Sequence, residues 1–567
     1  MADDVYEPLS RYRDEFREKF ARLTREKFAE LTERSGVDVA ANRRQVALIK
    51  TLDARLSRAR FKRTLLCILM IIGFAGALVG GFLATRADAD ETVRSIAPLV
   101  AVFGAVLGVG MAILFAKAGK AVDELVRKIR EAKEVAWRQM EPLNRLYTWN
   151  LTVGLIEATV PRLDFDPFFT AQRLADLRRL YGWDDSFNRG KSVLFAQSGI
   201  INGNPFLLGE YREMRWVQHT YTGSLSISWR ELERDADGKT RMVTRHQTLH
   251  ASVEKPVPSY PCEKVLIYGN DAAEALSFSR DPSGLDAGGL GTTIRKWWRL
   301  RGLRSFSRNL DDESQFTLMN NEEFETWFHA KDRDNEVEFR LLFTALAQIQ
   351  MLALMKDRET GFGDDFRFVK RCKLNFLFPK HLQDATIDTD PSRFRNWDYD
   401  AAAAFFRSFN EACFRNVYFA LAPLLAIPLY QQTRTHEEIW KGVVGADASS
   451  FWEHESIANY FGGDRFRHPE SITENILKTR VLSRQDGVST VAVTAHGFRG
   501  EDRVDYVSVY GGDGCWHDVP VEWTEYMPVE RTRNMTVTEA DAPSNTFRAR
   551  FESADVAAVR RSIRSYL

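Results

Sequence analysis

Two uninterrupted apolar stretches near the N-terminus dominate the pattern of hydrophobic and polar positions. Residues 64–84 and 95–116 contain no charged residue. Because a helix needs about 20 residues to cross the hydrocarbon core of a bilayer, each stretch is long enough to span a membrane once. A mostly polar segment precedes the first stretch, so we do not interpret it as a cleaved signal peptide. The pattern predicts transmembrane helices at 64–84 and 95–117, joined by a short external loop at 85–94.

The charges that flank the two stretches predict their orientation. Basic residues precede the first stretch and follow the second: Arg55, Arg58, Arg60, Lys62, Arg63, Lys117, Lys120, Arg127 and Lys128. The connecting loop mixes basic with acidic residues. Because Lys and Arg are retained on the cytosolic side of a membrane, we expect both termini to face the cytosol.

Small residues recur at helical spacing in both predicted spans. Gly76 and Gly80 lie in the first, and Gly104 and Gly108 in the second. This spacing lets two helix backbones approach closely, so we predict these four glycines as helix-packing positions. Neither span has a charged residue in its middle, which argues against a water-filled channel but leaves a gated apolar pore open.

Amphipathic stripes continue on the cytosolic side of each span. The pattern in residues 1–63 predicts amphipathic helices. Apolar residues recur at steps of three or four in two stripes. The stripe before the first span is Val46, Ile49, Leu52 and Leu56, and the stripe after the second span is Val122, Leu125, Ile129, Ala132 and Ala136. We interpret the second stripe, in 118–150, as one helix of an antiparallel two-helix stalk. The alternative is that each stripe packs on a globular domain.

The rest of the chain predicts three further regions. Residues 151–385 mix strand-like alternation with a helix at 335–355 and a buried strand at 367–378, and 386–480 are mainly helical. Residues 481–567 alternate again around a glycine-rich turn and close with a basic helix at 554–567. The predicted fold class is therefore an α+β membrane protein with a transmembrane helical hairpin and coiled stalk, a mixed α/β cytosolic domain and a C-terminal β-rich domain.

Composition narrows the function classes. The 78 basic and 78 acidic side chains cancel, which argues against a nucleic-acid binder. The five cysteines are an odd number without a CxxC pair, so they exclude a disulfide framework and a zinc finger and fit a reducing compartment.

The sequence contains partial matches to a phosphate-binding loop and to a histidine metal site, but the neighbouring residues do not fit either site. Residues 189–192 match only the end of a phosphate-binding loop, because the required upstream glycine is Asp185. His246 and His250 lie in an extended segment, where about 13 Å would separate them, too far to share a metal ion. We therefore predict no catalytic residue, no metal site and no cofactor.

A basic, tryptophan-containing segment carries the one binding prediction. Residues 294–308 contain no acidic residue, and tryptophan and basic side chains both favour the headgroup region of an anionic leaflet. The predicted membrane-surface residues are Arg295, Lys296, Trp297, Trp298, Arg299, Arg301, Arg304 and Arg308. The alternative is a solvated basic helix whose two tryptophans pack inward.

Three segments carry a resemblance to a known family. Residues 153–167, the Asn204-Pro205-Phe206 stretch and residues 338–378 resemble an uncharacterised bacterial family of two-span membrane proteins with a cytosolic domain of unknown function. The resemblance covers roughly residues 60–380. It implies a bacterial inner-membrane protein and brings no activity, cofactor or site residues with it.

The sequence favours a non-enzymatic role and leaves enzyme activity open. We expect a membrane-anchored cytosolic scaffold or interaction protein. One alternative is a homo-oligomeric pore or gating protein, and another is a membrane-tethered enzyme that acts on a lipid or nucleotide. The expected partners are the lipid bilayer, its anionic phospholipid headgroups, and either a second copy of the chain or an unidentified protein, but no nucleic acid.

Overall fold

The computed structural model describes residues 5–85, 91–234, 240–285, 290–308, 318–431, 448–485, 487–539, 557–560 and 563–567. The fold is an α+β mixture with 50% helix and 30% sheet. It divides into two compact units, which we call the helical unit (Ala21–Thr148 and Asp390–Asn410) and the sheet unit (Met1–Phe20, Trp149–Thr389 and Glu411–Leu567).

Thirteen helices are numbered here within the described part of the chain. They are α1 (Pro8–Arg11), α2 (Arg17–Ser35), α3 (Val39–Thr85), α4 (Glu91–Asn144), α5 (Asn150–Thr159), α6 (Ala171–Tyr181), α7 (Leu290–Arg308), α8 (Glu322–Phe328), α9 (Glu336–Leu342), α10 (Ala345–Lys356), α11 (Lys380–Gln383), α12 (Tyr399–Leu425) and α13 (Phe451–Phe461). A π-helical turn, Tyr12–Phe16, joins α1 to α2.

The helical unit is built on α3 and α4. Each is continuous from the predicted span into the polar extension, with 47 residues in α3 and 54 in α4. Both are long and apolar enough to cross a membrane. In the extensions, the two predicted stripes pack on each other, with Ile49 and Leu52 of α3 in one cluster with Ile129 and Ala136 of α4.

Fourteen strands are numbered in the described residues. They are β1 (Leu163–Phe165), β2 (Lys191–Ile201), β3 (Asn204–Glu213), β4 (Arg215–Arg234), β5 (Thr240–Ser259), β6 (Cys262–Gly269), β7 (Ser277–Arg280), β8 (Phe366–Arg371), β9 (Leu374–Pro379), β10 (Ile476–Gln485), β11 (Val488–Tyr510), β12 (Trp516–Glu539), β13 (Ala557–Arg560) and β14 (Ile563–Tyr566).

These strands form three antiparallel sheets in the sheet unit. A seven-stranded sheet has the order β1-β2-β3-β6-β9-β8-β7, and a five-stranded sheet has the order β10-β11-β12-β14-β13. The third sheet is the two-stranded hairpin β4-β5. Helices cover the first two sheets, so most of their apolar side chains are buried.

Helix α13 packs against both larger sheets. Trp452, at its beginning, is fully buried in the core of the seven-stranded sheet beside Phe169 and Trp183. Ile457 and Phe461, one and two turns later, pack in the core of the five-stranded sheet. Because opposite ends of one short helix contribute to two cores, α13 couples the two sheets.

Three element predictions differ from the structure. Within the helix predicted at 554–567, the described residues 557–560 and 563–566 form the strands β13 and β14 instead, which pair with each other, and β14 also pairs with Thr536–Glu539 of β12. Ile563 of β14 is buried in the core of the five-stranded sheet. Long-range strand pairing therefore outweighs the local helical preference of this segment.

The helix predicted at 335–355 is two helices. Helices α9 and α10 are bent by 72° relative to each other. Thr344 caps α10, where its side-chain oxygen accepts a hydrogen bond from Ala347 N. The buried strand predicted at 367–378 is likewise divided, into the hairpin β8–β9. Its turn includes Cys372, which has a positive φ of 52°.

Candidate interaction sites

Two long β-hairpins stack on each other and form what we call the arm. The first hairpin is β4–β5, whose strands pair continuously from Arg215 and Ser259 to Arg234 and Thr240. The second is residues 497–528, the outer part of β11–β12. Within the described residues, β10 pairs with no part of β11 beyond Val488–His496, and β14 pairs with no part of β12 beyond Thr536–Glu539. The outer part of β11–β12 therefore has no described strand hydrogen-bonded beside it. At about 3.3 Å per residue, β4–β5 extends for about 65 Å.

The inner faces of the two hairpins share a small apolar core. Leu249 and Ala251 of β5 pack against Val519 and Val521 of β12, and all four are buried. Gly223 of β4 allows this close approach, because a Cβ atom there would overlap the carbonyl oxygen of Pro520. The partly buried side chains around this core are Tyr221, Leu225, Ile227, Val253, Val507 and Val509.

Polar contacts fix the register between the hairpins. Lys255 Nζ of β5 lies 2.6 Å from the carboxylate of Asp505 on β11. Trp523 Nε1 also donates to Asp505, at 3.0 Å. The two hydrogen bonds lower the pKa of Asp505. At the turn of the second hairpin, Gly512 N donates to Gln247 Oε1 at 2.7 Å.

The outer face of β11–β12 carries an apolar patch. Val504, Tyr506 and Tyr510 lie on alternate positions of β11, and Trp516 is the cross-strand partner of Tyr510. Tyr506 and Trp516 are each 70% exposed, and the rings of Tyr510 and Trp516 are 5.4 Å apart. We call these four residues the aromatic patch. These four residues are not part of the apolar core of the arm, because the side chains on the opposite face of β11 and β12 form that core.

The outer face of β4–β5 has a different character. Along its middle part the exposed residues are small and polar, such as Ser224, Ser226 and Thr248. Nearer its outer end, the cross-strand partners Leu232 and Met242 are exposed apolar side chains, 67% and 60% exposed. His246 and His250 lie on this face in extended backbone, as the sequence predicts. No group of three or more His, Cys, Asp or Glu side chains in the described part of the chain could hold a metal ion.

The predicted membrane-surface segment forms helix α7 in the sheet unit. Trp297 is 53% exposed and Trp298 62% exposed, and their rings are 5.1 Å apart. Arg301 is also exposed, with its guanidinium 5.3 Å above the ring of Trp297. The two tryptophans therefore point outward together with a basic side chain, unlike the inward packing of the alternative.

The other predicted residues of α7 are distributed around the helix. Arg295 is exposed and donates to the carbonyl of Gly284, and Arg304 pairs with Glu322 at 2.7 Å. Lys296 lies 4.9 Å above the ring of Trp327. Arg299 is partly buried, which lowers the pKa of its guanidinium. The side chain of Arg308 lies outside the described residues.

Glycines line the contact between α3 and α4. A Cβ atom at Gly80 would lie 2.6 Å from Ala101 N, and one at Gly104 would lie 2.5 Å from Ala77 N. A Cβ atom at Gly108 would lie 2.9 Å from the ring of Phe74. Gly76 is placed differently, because a Cβ atom there meets nothing within 4 Å. Its backbone still borders the contact, because a Cβ atom at Gly104 would lie 3.0 Å from Gly76 C. Gly73 directs its own Cβ position into the contact, 2.7 Å from Gly108 N.

Comparison of the chain with protein-family models, with curated proteins and with solved structures finds no match. The features that bear on its function are therefore the arm, helix α7 and the apolar helices α3 and α4.

Proposed function

We propose that this protein is a membrane-anchored interaction protein that presents its arm to a protein partner. In this proposal α3 and α4 cross the membrane, both termini lie in the cytosol, and the sheet unit lies on the same side. The aromatic patch is the observation that carries the proposal. It places two tyrosines and a tryptophan in solvent on an arm whose core is already complete.

The chemistry of the patch favours a protein surface as its partner. Tyrosine and tryptophan are enriched at protein interfaces, where they bury a large area and lose little conformational entropy. Their polar groups tolerate water in the unbound protein. A flat two-stranded face suits a broad partner surface better than a small ligand, which needs a concave site.

Site-specific photocrosslinking tests the proposal in the cells that produce the protein. Benzoylphenylalanine replaces Ser508, which lies between Tyr506 and Tyr510 on the same face of β11. The matched control replaces Ser226 on the polar face of β4. We expect a protein adduct of discrete mass from position 508 and none of that mass from position 226.

The same crosslink reports on the patch itself. Tyr510→Ser combined with Trp516→Ser should reduce the adduct at least about tenfold, because an aromatic anchor at the centre of an interface contributes about 2 kcal/mol or more. Equal adducts from positions 508 and 226, or an adduct unaffected by the double substitution, would refute a partner at the patch.

We propose further that α7 contacts an anionic membrane surface. The outward orientation of Trp297, Trp298 and Arg301 supports this contact. Each basic residue near an anionic leaflet contributes about 1 kcal/mol, and the anchor of α3 and α4 reduces the entropic cost of a second contact.

Amide hydrogen exchange of the full-length protein in nanodiscs tests the contact of α7. We expect α7 to exchange at least about fivefold more slowly in anionic than in zwitterionic lipid, which corresponds to about 1 kcal/mol. Arg301→Glu should remove the difference, and Arg371→Glu, on the exposed end of β8, should keep it. Identical exchange of α7 in the two lipids would exclude the contact.

A further inference from the structure

A cavity of about 630 Å³ lies where the two hairpins of the arm begin. Its apolar walls are Met214, Ile476, Phe498, Pro528 and Val529. Met214 immediately precedes β4, and the other four belong to β10, β11 and β12. The volume is within the range of about 300–1,000 Å³ that is typical of small-molecule sites.

The charged residues of the cavity favour an anion. Arg189 and Lys478 line it, and its acidic lining residue, Glu530, lies 3.4 Å from the imidazole of His496. Arg189 is exposed, so its guanidinium can turn toward a ligand. Lys478 shares its charge with Glu455, so the exposed guanidinium of Arg189 and a remaining N–H of Lys478 are the groups that favour an anionic oxygen.

The ammonium group of Lys478 is held in place by two hydrogen bonds and has a third N–H donor for a ligand. Its Nζ donates to Asn188 O at 2.7 Å and to the buried carboxylate of Glu455 at 3.1 Å. An ammonium group has three N–H donors. Two are used by acceptors among the described residues, so the third is available to a ligand oxygen in the cavity.

We propose that this cavity binds a linear acyl carboxylate, a long-chain fatty acid. The carboxylate pairs with Lys478 and Arg189, and the acyl chain lies along Met214, Ile476 and Val529. Aliphatic side chains and the flexible thioether of Met214 fit a chain of methylene groups. Each methylene group that enters the cavity is removed from water, so binding is favoured by a chain long enough to cover these walls. This inference does not depend on the partner of the arm.

Photoaffinity labelling of the full-length protein in nanodiscs tests the site. The probe is a 14-carbon fatty acid with a diazirine in its chain, and labelled peptides are identified by mass spectrometry. We expect labels on the peptides that contain Met214, Ile476 or Val529. Val529→Trp fills the cavity and should reduce this labelling at least tenfold, whereas Val337→Trp on the exposed surface of α9 should not change it.

A second pair of measurements tests the headgroup. Lys478→Met should weaken labelling by the acid at least tenfold and leave labelling by the corresponding 14-carbon alcohol unchanged. Lys380→Met, exposed at the beginning of α11 and not among the cavity residues, is the matched control. Labels mainly on other peptides, or labelling unaffected by Val529→Trp, would overturn the site. Equal sensitivity of acid and alcohol to Lys478→Met would overturn its preference for a carboxylate.

Discussion

The α3–α4 pair and the arm are both long antiparallel structures, but they expose apolar side chains in different ways. In the apolar part of α3 and α4, large exposed side chains occur on many sides, and Leu78, Leu99 and Phe103 are each more than 70% exposed. On the arm, large exposed apolar side chains occur in limited groups, among them the aromatic patch on the outer face of β11–β12 and the pair Leu232 and Met242 on the outer face of β4–β5, whose middle part is polar.

This difference separates two kinds of surroundings. A helix that is apolar on all sides requires an apolar solvent, and the lipid bilayer is such a solvent. A small exposed apolar patch on a hairpin fits the partner of limited area that the proposed function assigns to the arm. The comparison therefore supports lipid around α3 and α4 and a protein at the arm.

The largest effect is expected where the helix backbones approach each other. Gly104→Leu places a bulky side chain where even a Cβ atom would lie 2.5 Å from Ala77 N. We expect the helices to separate and the protein to lose about 3 kcal/mol or more, because overpacking alone costs about 1–3 kcal/mol. Thermal unfolding of the protein in nanodiscs measures the change.

Gly76→Leu is the matched control, because a Cβ atom at Gly76 meets nothing within 4 Å. It should leave the unfolding temperature nearly unchanged. If the two substitutions destabilise the protein equally, the α3–α4 contact described here is wrong.

The helical pair could be predicted from the sequence because local spacing determines it. The uncharged spans and the apolar stripes repeat at the period of a helix, so both helices and their packing faces follow from neighbouring residues. The rotation of the contact was less predictable. Successive helix residues are about 100° apart, so Gly76 lies about 40° from Gly80 around the axis, whereas Gly73 lies only about 20° from it. In the predicted pair of Gly76 and Gly80, Gly76 therefore contacts α4 through its backbone, while its Cβ position points away from the contact.

The arm could be predicted only in part. The alternation in 216–229 and 249–253 indicates strands, and the glycine-rich turn at 511–514 indicates the second hairpin. The stacking of the hairpins depends on contacts such as Gly223 with Pro520, which are almost 300 residues apart. No local pattern contains that information. The position of the cavity depends in the same way on segments that are distant in the sequence.

The base of the arm differs from the helical pair in having a buried ionisable pair, which predicts a pH effect. Burial raises the pKa of Glu455 from 4.5 to about 7, although Lys478 and the hydrogen bonds from Val193 N and Asn188 oppose the shift. The folded protein therefore binds the proton more tightly than the unfolded chain. The stability that this carboxyl contributes is present below about pH 4.5 and is lost as the pH rises to about 7.

Glu455→Gln isolates this contribution. His454 has its pKa lowered to about 4 by burial and acts in the opposite direction over part of the same range. We therefore compare the free energy of unfolding of the two proteins at each pH. From pH 5 to pH 7 the wild type should lose about 2 kcal/mol relative to the variant, since one pKa unit corresponds to about 1.4 kcal/mol and part of the shift lies outside this interval. A difference that does not change with pH would contradict the buried proton.

A smaller and more local effect is expected within the arm. Gly223→Val would drive a side chain into the carbonyl of Pro520, which the closed arm cannot accommodate. We expect the two hairpins to separate at a cost of about 1–3 kcal/mol while the cores of the larger sheets persist. Amide exchange should then accelerate around residues 219–227 and 517–523 but not in β2 or β3. Ser224→Val, at the next residue on the outer face, introduces the same side chain without contacting β12 and should leave the exchange rates unchanged.

The Gly223→Val variant also shows which part of the arm the partner recognises, because the outer face of β11–β12 keeps all its residues. If the partner still crosslinks at position 508, it recognises that hairpin alone. If the crosslink is lost, the partner requires the stacked arm.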